Sequence, residues 1–514
     1  MASYLPDERK VIDALERARQ TFASGKTLSL EYRKAQLRGL LSLIDENEEL
    51  LVTSLAQDFK KPRFEAVMTD TDFVRNDVLG MLHNLDVYVR RNHVSKSLVT
   101  AFDQAFTTFE PLGVVLVIGT WNYPVQVLLS PLAGAIAGGN VVILKPSELA
   151  PVTASVIQRL LPKYLDPESY FILTGGADVC QEILKHKLDF IFYTGSGSIG
   201  QKIYEAAAVH LTPVCLELGG KSPCYIHPDL SDSEMTIAVK RILWGKLVNA
   251  GQTCVATDYI LCNEKVKDLL ITKAGKILKT FLSNSSNDMT RIISGKHYDR
   301  LQQLLKSTGG VVHSGTEIGV YDDEDAVDRY FPLRIVTDLD PEKDPLMDAE
   351  IFGPILPVVQ VRDEEHAISF INRRGQKPLT LYIFANDTQV IDSLIQRTSS
   401  GSICVNDTVM QMINDSLPFG GVGSSGIGSY HGFYSFKCFS HQKSVMIRGY
   451  NPILEWVASK RYPPYSDNHL KRMLRLLRKR RVMSQPVKEM LPISGSIGFL
   501  IGILYGYLFH VLLF

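Results

Sequence analysis

An α/β fold built on a parallel sheet is predicted for this chain, and three observations carry the prediction. Short, β-branched apolar runs, GVVLVIG (113–119), NVVILKP (140–146), YFILTGG (170–176) and LDFIFYTG (188–195), each end at glycine or proline. Helix-like stretches such as PVTASVIQRLLPKYL (151–165) lie between them. Before Pro111, residues 7–100 read as mostly helical, with LSLEYRKAQLRGLLSLIDENEELLVTSLAQDF (28–59) placing apolar residues three and four apart over several turns. Wholly apolar strands separated by helices belong to sheets covered on both faces. The same texture continues to about residue 400, followed by the glycine-dense LPFGGVGSSGIGSYHG (417–432), with no internal repeat or low-complexity linker.

The 514 residues amount to about three domains' worth of chain. Hydrophobic content of 45% and charged content of 21% describe a globular protein with a full core. Formal net charge is zero, but residues 459–489 hold ten Lys or Arg against Asp467 and Glu489. A mildly acidic body with a basic tail argues against nucleic acid as the main partner and for an anionic surface. The seven cysteines are odd in number and show no CxxC spacing, so neither a disulfide framework nor a zinc site is indicated.

The beginning, MASYLPDERK, has no apolar stretch and is no secretory signal. From Pro492 the chain runs PISGSIGFLIGILYGYLFHVLLF without a formal charge. Residues 493–514 are long enough to cross about 30 Å of hydrocarbon as a helix. The basic run on their N-terminal side would stay cytosolic, which predicts a tail-anchored protein with a cytosolic body. Gly498, Gly502 and Gly506 recur every fourth residue and suit close pairing of such helices. Just upstream, NHLKRMLRLLRKRRV (468–482) sets Leu470, Met473, Leu474 and Leu477 on one helical face among cations, the pattern of a helix lying on anionic headgroups.

Two segments carry chemistry on their own residues. In KLVNAGQTCVATD (246–258), Cys254 follows Gly251, Gln252 and Thr253, a small and polar setting suited to a thiol that meets a substrate. Gly195 to Gly200, with Ser196 between, reads GxGxxG after a strand and at the start of a helix, where backbone N–H groups can hold a phosphate. Glu217 lies at the distance generic for a ribose ligand. It sits in CLELGGKSP, however, where a strand ends in a glycine pair and can aim a carboxylate into a cleft. Lys145 and Glu148 in KPSELAP are the better ribose-binding candidates.

Nine segments taken in order make the chain resemble an aldehyde dehydrogenase, in particular the class 3 fatty aldehyde dehydrogenases, from about residue 8 to about residue 465. They are TWNYP (120–124), KPSE (145–148), FYTGSGSIG (192–200), LELGGKSP (216–223), NAGQTC (249–254), EIFGPILP (350–357), LPFGGVGSSGIGSYHG (417–432), FSHQKS (439–444) and RYPPY (461–465). The resemblance implies that Cys254 attacks an aldehyde and that Asn122, with the Cys254 backbone N–H, donates to the oxyanion. It gives Glu217 the general-base position. Glu350 and Phe352 match positions that hold the nicotinamide ribose, and Glu350 is a rival for the base role. Tyr123 and Trp244 match positions near the substrate tunnel. Where the family more often has threonine, this chain has Gly197. Glu148 favours NAD over NADP, with NADP as the alternative.

The implied architecture is a Rossmann-type cofactor domain (1–214), a catalytic domain (215–402), a small bridging element (403–447, joined by part of 85–110), a tail (448–491) and the anchor (493–514). The expected activity is oxidation of medium- to long-chain fatty aldehydes to acids, by a homodimer. The endoplasmic reticulum is the expected membrane, with the mitochondrial outer membrane, peroxisome and lipid droplet as alternatives. Competing readings are broad or non-lipid aldehyde specificity, an acylating relative that spares hydrolysis, and a non-catalytic membrane scaffold. Glu217 speaks against the second, and the intact set of Cys254, Asn122, Glu217 and Glu350 against the third.

Overall fold

A computed structural model describes residues 6–96, 100–281, 288–313 and 328–477. The expected anchor (493–514) and residues 478–482 of the expected amphipathic helix lie outside the described residues. Among the described residues no helix is long and apolar enough to cross a membrane. The chain divides into two units, one of Met1–Arg90 with Thr108–Lys443 and one of Arg91–Thr107 with Ser444 onward.

The first unit opens with helices α1 (Pro6–Ala23), α2 (Leu30–Phe59), α3 (Arg63–Ala66) and α4 (Asp72–Tyr88). Ser29 starts α2 by accepting from the Tyr32 N–H, which satisfies one of the donors left free at a helix start.

A six-stranded sheet follows, with β3 (Val114–Ile118), β4 (Val141–Lys145), β5 (Tyr170–Ile172), β6 (Phe190–Thr194), β7 (Val214–Glu217) and β15 (Gly426–Ile427) in the order β15-β7-β6-β3-β4-β5. Its strands are parallel except for β15 against β7. Every residue of β3 and β4 is buried, which is why these runs show no alternation in sequence. Helices α5 (Gln126–Gly138), α6 (Pro151–Tyr164), α7 (Ala177–Leu184) and α8 (Gly197–Val209) connect the strands. All thirteen residues of α5 are buried, so it behaves as a core helix rather than an amphipathic one. Strand β7 stays in this sheet, so the sheet runs past the boundary expected at residue 214.

A seven-stranded sheet holds β8 (Pro223–Ile226), β9 (Tyr259–Cys262), β10 (Val311–His313), β11 (Arg334–Thr337), β12 (Ile355–Gln360), β13 (Thr380–Phe384) and β14 (Ser402–Val405), in the order β10-β11-β12-β9-β8-β13-β14. Only β10 runs antiparallel to its neighbour. Helix α9 (Asp232–Leu247) is started by a reciprocal pair in which Ser231 and Glu234 cap each other's backbone N–H. Strands β1 (Asn92–His93), β2 (Gln104–Pro111) and β16 (Ser440–Ile447) form a separate three-stranded sheet.

In the second unit, Asn451 accepts from the N–H groups of Ile453 and Leu454 to begin the helix Pro452–Ala458. A further helix spans Asp467–Leu477, overlapping the first part of the stretch (468–482) where a basic amphipathic helix is predicted. Leu470, Leu474 and Leu477 are exposed on it, as are Ile453 and Trp456 on its predecessor. The seven cysteines are all free, and Cys215, Cys224 and Cys262 are buried as core residues.

Candidate active site

The first unit contains a continuous cavity of about 1710 Å³. Cys254, Asn122, Glu217, Glu350, Phe352, Tyr123, Trp244, Lys145, Glu148, Gly195 and Ser196 all line it. Segments from more than 200 residues of chain therefore converge on one space. Gly200 is the exception among the expected site residues and must be corrected. It faces the protein interior, where an added Cβ would lie 2.7 Å from Leu218 Cδ2. Its small size lets α8 close on the strand layer, the packing role of a third glycine in such loops.

Cys254 follows a turn in which Asn249 and Ala250 both hold left-handed backbones, with φ of 54° and 53°. Side-chain amides lock that turn. Gln252 Nε2 donates to the carbonyls of Asn249 and Arg291, and its Oε1 accepts from the Ile293 N–H, each at 3.0 Å. Burial, then the carboxylates of Glu350 and Glu217, push the Cys254 thiol up to about 12, while its own and the Val255 backbone N–H groups favour the thiolate. The polar setting expected from the sequence is thus one of backbone dipoles and acids, and a base must take the thiol proton.

Asn122 lies four residues before α5. Its Nδ2 donates one hydrogen to the Gln252 carbonyl at 3.0 Å, which leaves the second N–H for another acceptor. Tyr123 is buried, and its hydroxyl shares a hydrogen bond of 2.6 Å with Thr253 Oγ1, next in the chain to Cys254. Trp244 is 38% exposed on α9, at the cavity wall.

Glu217 ends β7 and is buried. Its Oε1 accepts from the Cys215 thiol at 3.6 Å, and its Oε2 has no hydrogen-bond partner. Burial drives its carboxyl well above the ordinary range. Burial, with nearby Asp258, raises the Glu350 carboxyl to about 8. Gly219 makes room for Glu350, because a Cβ there would sit 2.1 Å from Glu350 Oε2. Phe352 has a left-handed φ of 50° and meets Trp121 edge-on at 5.4 Å.

At another part of the cavity wall, Lys145 Nζ donates to Glu148 Oε2 and to the Pro146 carbonyl, both at 3.0 Å. Gly195 and Ser196 lead into α8, and Lys185, Lys202 and His210 line the same cavity. A Cβ at Gly195 would strike the Tyr193 hydroxyl at 2.2 Å, whereas at Gly197 it would meet nothing within 4 Å. A helix N-terminus beside several cations suits a phosphate-bearing ligand, and the departure at Gly197 leaves that approach open.

Sequence reasoning passed over Trp121, Asn249 and Glu65, and the part Gln252 plays in locking the turn. Trp121 stood inside a quoted motif, and Asn249 and Gln252 inside another. Nothing local marked Glu65, whose partners are Asn249 and Thr290.

Comparison with known proteins accounts for this arrangement. The profile of the aldehyde dehydrogenase family matches residues 3–445. Aldehyde dehydrogenase family 3 member B1 of Bos taurus is 44% identical over 465 residues, covering 90% of this chain and 96% of that protein. Aldehyde dehydrogenase family 3 member A2 of Rattus norvegicus is 44% identical over 457 residues, covering 88% and 91%. Among solved structures, the substrate-bound state of Staphylococcus aureus AldH superposes with a TM-score of 0.82 at 36% identity, covering 86% of this chain and 94% of that one. An indole-3-acetaldehyde dehydrogenase complexed with NAD+ shares the fold with a TM-score of 0.76 at 24% identity. The chain belongs to the aldehyde dehydrogenase family, with members of its class 3 among its relatives.

Proposed function

We propose that this enzyme oxidises medium- to long-chain fatty aldehydes to fatty acids with NAD. The observation that carries the reading is the shared cavity, in which a thiol, an amide donor and two proton-accepting carboxyls meet aromatic and aliphatic walls. Lys145 and Glu148 would hold the adenosine ribose, and Gly195, Ser196 and the start of α8 the pyrophosphate. Glu350 and Phe352 would hold the nicotinamide ribose. The Glu148 carboxylate disfavours the extra 2′-phosphate of NADP. A nicotinamide held there would supply the hydride acceptor needed for the Cys254 adduct to become a thioester.

The protein's own groups do the rest. Cys254 Sγ forms a bond to the carbonyl carbon, its proton passes to a carboxylate, and the carbonyl π pair moves onto oxygen. The free N–H of Asn122 and the Cys254 backbone N–H stabilise that oxyanion. In the second half Glu217 takes a proton from water, which adds to the thioester carbon. The C–S bond then breaks, releasing the acid and the cysteine. Glu217 Oε2, buried without a partner, is free for such a water.

Tyr123 and Trp244 flank the path of the alkyl chain. The charge-free segment 493–514 and the basic stretch before it support a tail anchor with the body on the cytosolic side, where lipid-dissolved aldehydes are met. The endoplasmic reticulum is the membrane proposed, and a homodimer the assembly.

The test follows NADH fluorescence with hexadecanal and with propanal, for detergent-solubilised wild type and Cys254→Ser. Strong preference for hexadecanal, lost in the variant, is the expected result. Equal use of both aldehydes would remove the lipid specificity, and undiminished turnover by Cys254→Ser would remove the nucleophile.

A further inference from the structure

The stretch from Lys61 to Thr71 belongs to none of the motifs quoted above, yet it reaches both halves of the reaction centre. It holds α3 and then a five-residue π-helical turn, Val67–Thr71. Such turns are rare and recur at functional sites. Lys61 and Asp70 are fully buried and form an ion pair of 2.6 Å. Asp70 Oδ1 accepts from the N–H groups of Val125 and Gln126, at 3.2 and 3.3 Å, at the start of α5. Lys61 Nζ lies 4.0 Å over the Tyr123 ring. These two residues therefore hold the chain directly after Asn122.

Glu65 turns toward the other half. Its Oε2 accepts from the Asn249 backbone N–H at 3.1 Å and from Thr290 Oγ1 at 2.8 Å. Asn249 needs holding, because it and Ala250 are consecutive non-glycine residues in the left-handed region. Such strain persists only where the surroundings over-determine it. With its N–H occupied by Glu65, Asn249 sends its side-chain amide to the carbonyls of Asn122 (2.9 Å) and Gln252 (3.0 Å). Asn122 in turn donates to that Gln252 carbonyl at 3.0 Å. One hydrogen-bond chain thus runs from Glu65 through Asn249 to the amide donor and to the peptide two residues before the nucleophile.

We infer that Glu65 is a positioning residue: by fixing Asn249 it aims the Asn122 amide at the point beside Cys254 where the oxyanion forms. Lys61 and Asp70 fix the far side of the Asn122 turn. Glu65 touches neither reacting atom in this role and acts through Asn249. Its carboxyl is raised by burial and lowered by Lys61. The inference rests on Cys254 as nucleophile and Asn122 as oxyanion donor, so the test carries controls for both.

A double-mutant cycle on the full chain decides it, reading kcat/KM for hexadecanal with saturating NAD. The set is wild type, Glu65→Ala, Asn122→Ala, the double variant, Glu65→Gln and Cys254→Ser. Glu65→Ala is expected to lower kcat/KM about tenfold through misplacement, and Asn122→Ala about a hundredfold through loss of one donor. The double variant should fall no further than Asn122→Ala, since aim is irrelevant once the amide is gone. Glu65→Gln keeps an acceptor oxygen and should stay within about threefold of wild type. A double variant whose loss is the product of the two single losses would overturn the inference. So would a Glu65→Gln loss above about tenfold, an arm that stands even if Glu65→Ala is not recovered folded. Full activity of Cys254→Ser or Asn122→Ala would instead strike the underlying reading of the site.

Discussion

In the proposed mechanism Cys254 and Glu217 share a difficulty at neutral pH, since each would react as an anion and burial disfavours the anion of both. The sign of the pH dependence follows. A raised pKa means that the proton is still on at pH 6 and comes off as pH rises, so kcat/KM should climb from pH 6 to pH 9 without an acidic optimum. A fall across that range would mean that a protonated group limits the reaction. Glu217→Gln separates the two half-reactions. Acylation should still give a burst of about one equivalent of NADH. Steady turnover should then drop by about a hundredfold or more for want of a base. Rapid-mixing fluorescence reads both phases, and a variant with no burst would shift the base of the first step to Glu217 as well. Cys254 and Asn122 were singled out because the segments that hold them, NAGQTC and TWNYP, belong to the ordered set that carries the family resemblance. Glu65 could not be, because its meaning comes from a backbone N–H 184 residues away.

Helix α4 carries a group that costs stability. Asp77 is buried on it, with Oδ2 lacking a partner, and burial lifts its carboxyl from 3.8 to about 7. Between those values the folded state keeps a proton that the unfolded chain has released. Stability from this group therefore falls as pH rises through that window. Asp77→Asn removes the titration, and its Tm at pH 8 should exceed that of wild type by about 2–4 °C while matching it near pH 4. Calorimetry at the two pH values checks this, and an unchanged difference would mean that Asp77 is not buried as a neutral acid. Most elements could be read from pattern, since β3, β4 and β6 are unbroken apolar runs between breakers. Helix α5 was harder, because complete burial erases the polar face that signals a helix. The π-helical turn Val67–Thr71 left no mark in sequence, and its Asp70 pairs with Lys61 nine residues earlier, a spacing no helical period singles out.

For the whole protein, membrane engagement is proposed to rest on the basic helix around Leu470–Leu477 and on the charge-free segment 493–514. Anionic liposomes should protect residues 468–482 from limited proteolysis, and neutral liposomes should do so far less. Absence of protection would leave the basic stretch as a solvated linker. Truncation before residue 492 should weaken membrane attachment to the reversible, salt-sensitive binding of the basic helix alone, while propanal turnover stays within about twofold, because the cavity is built from residues 62–430. Periodicity and ordered motifs already marked an α/β fold and a resemblance to aldehyde dehydrogenases, because burial, turn formation and helix capping are encoded within a few residues. Strand order, the inward turn of Gly200, the acids around Cys254 and the reach of Glu65 to Asn249 came only with the folded chain. Each depends on which distant segments share a volume, and short-range periodicity carries no record of that.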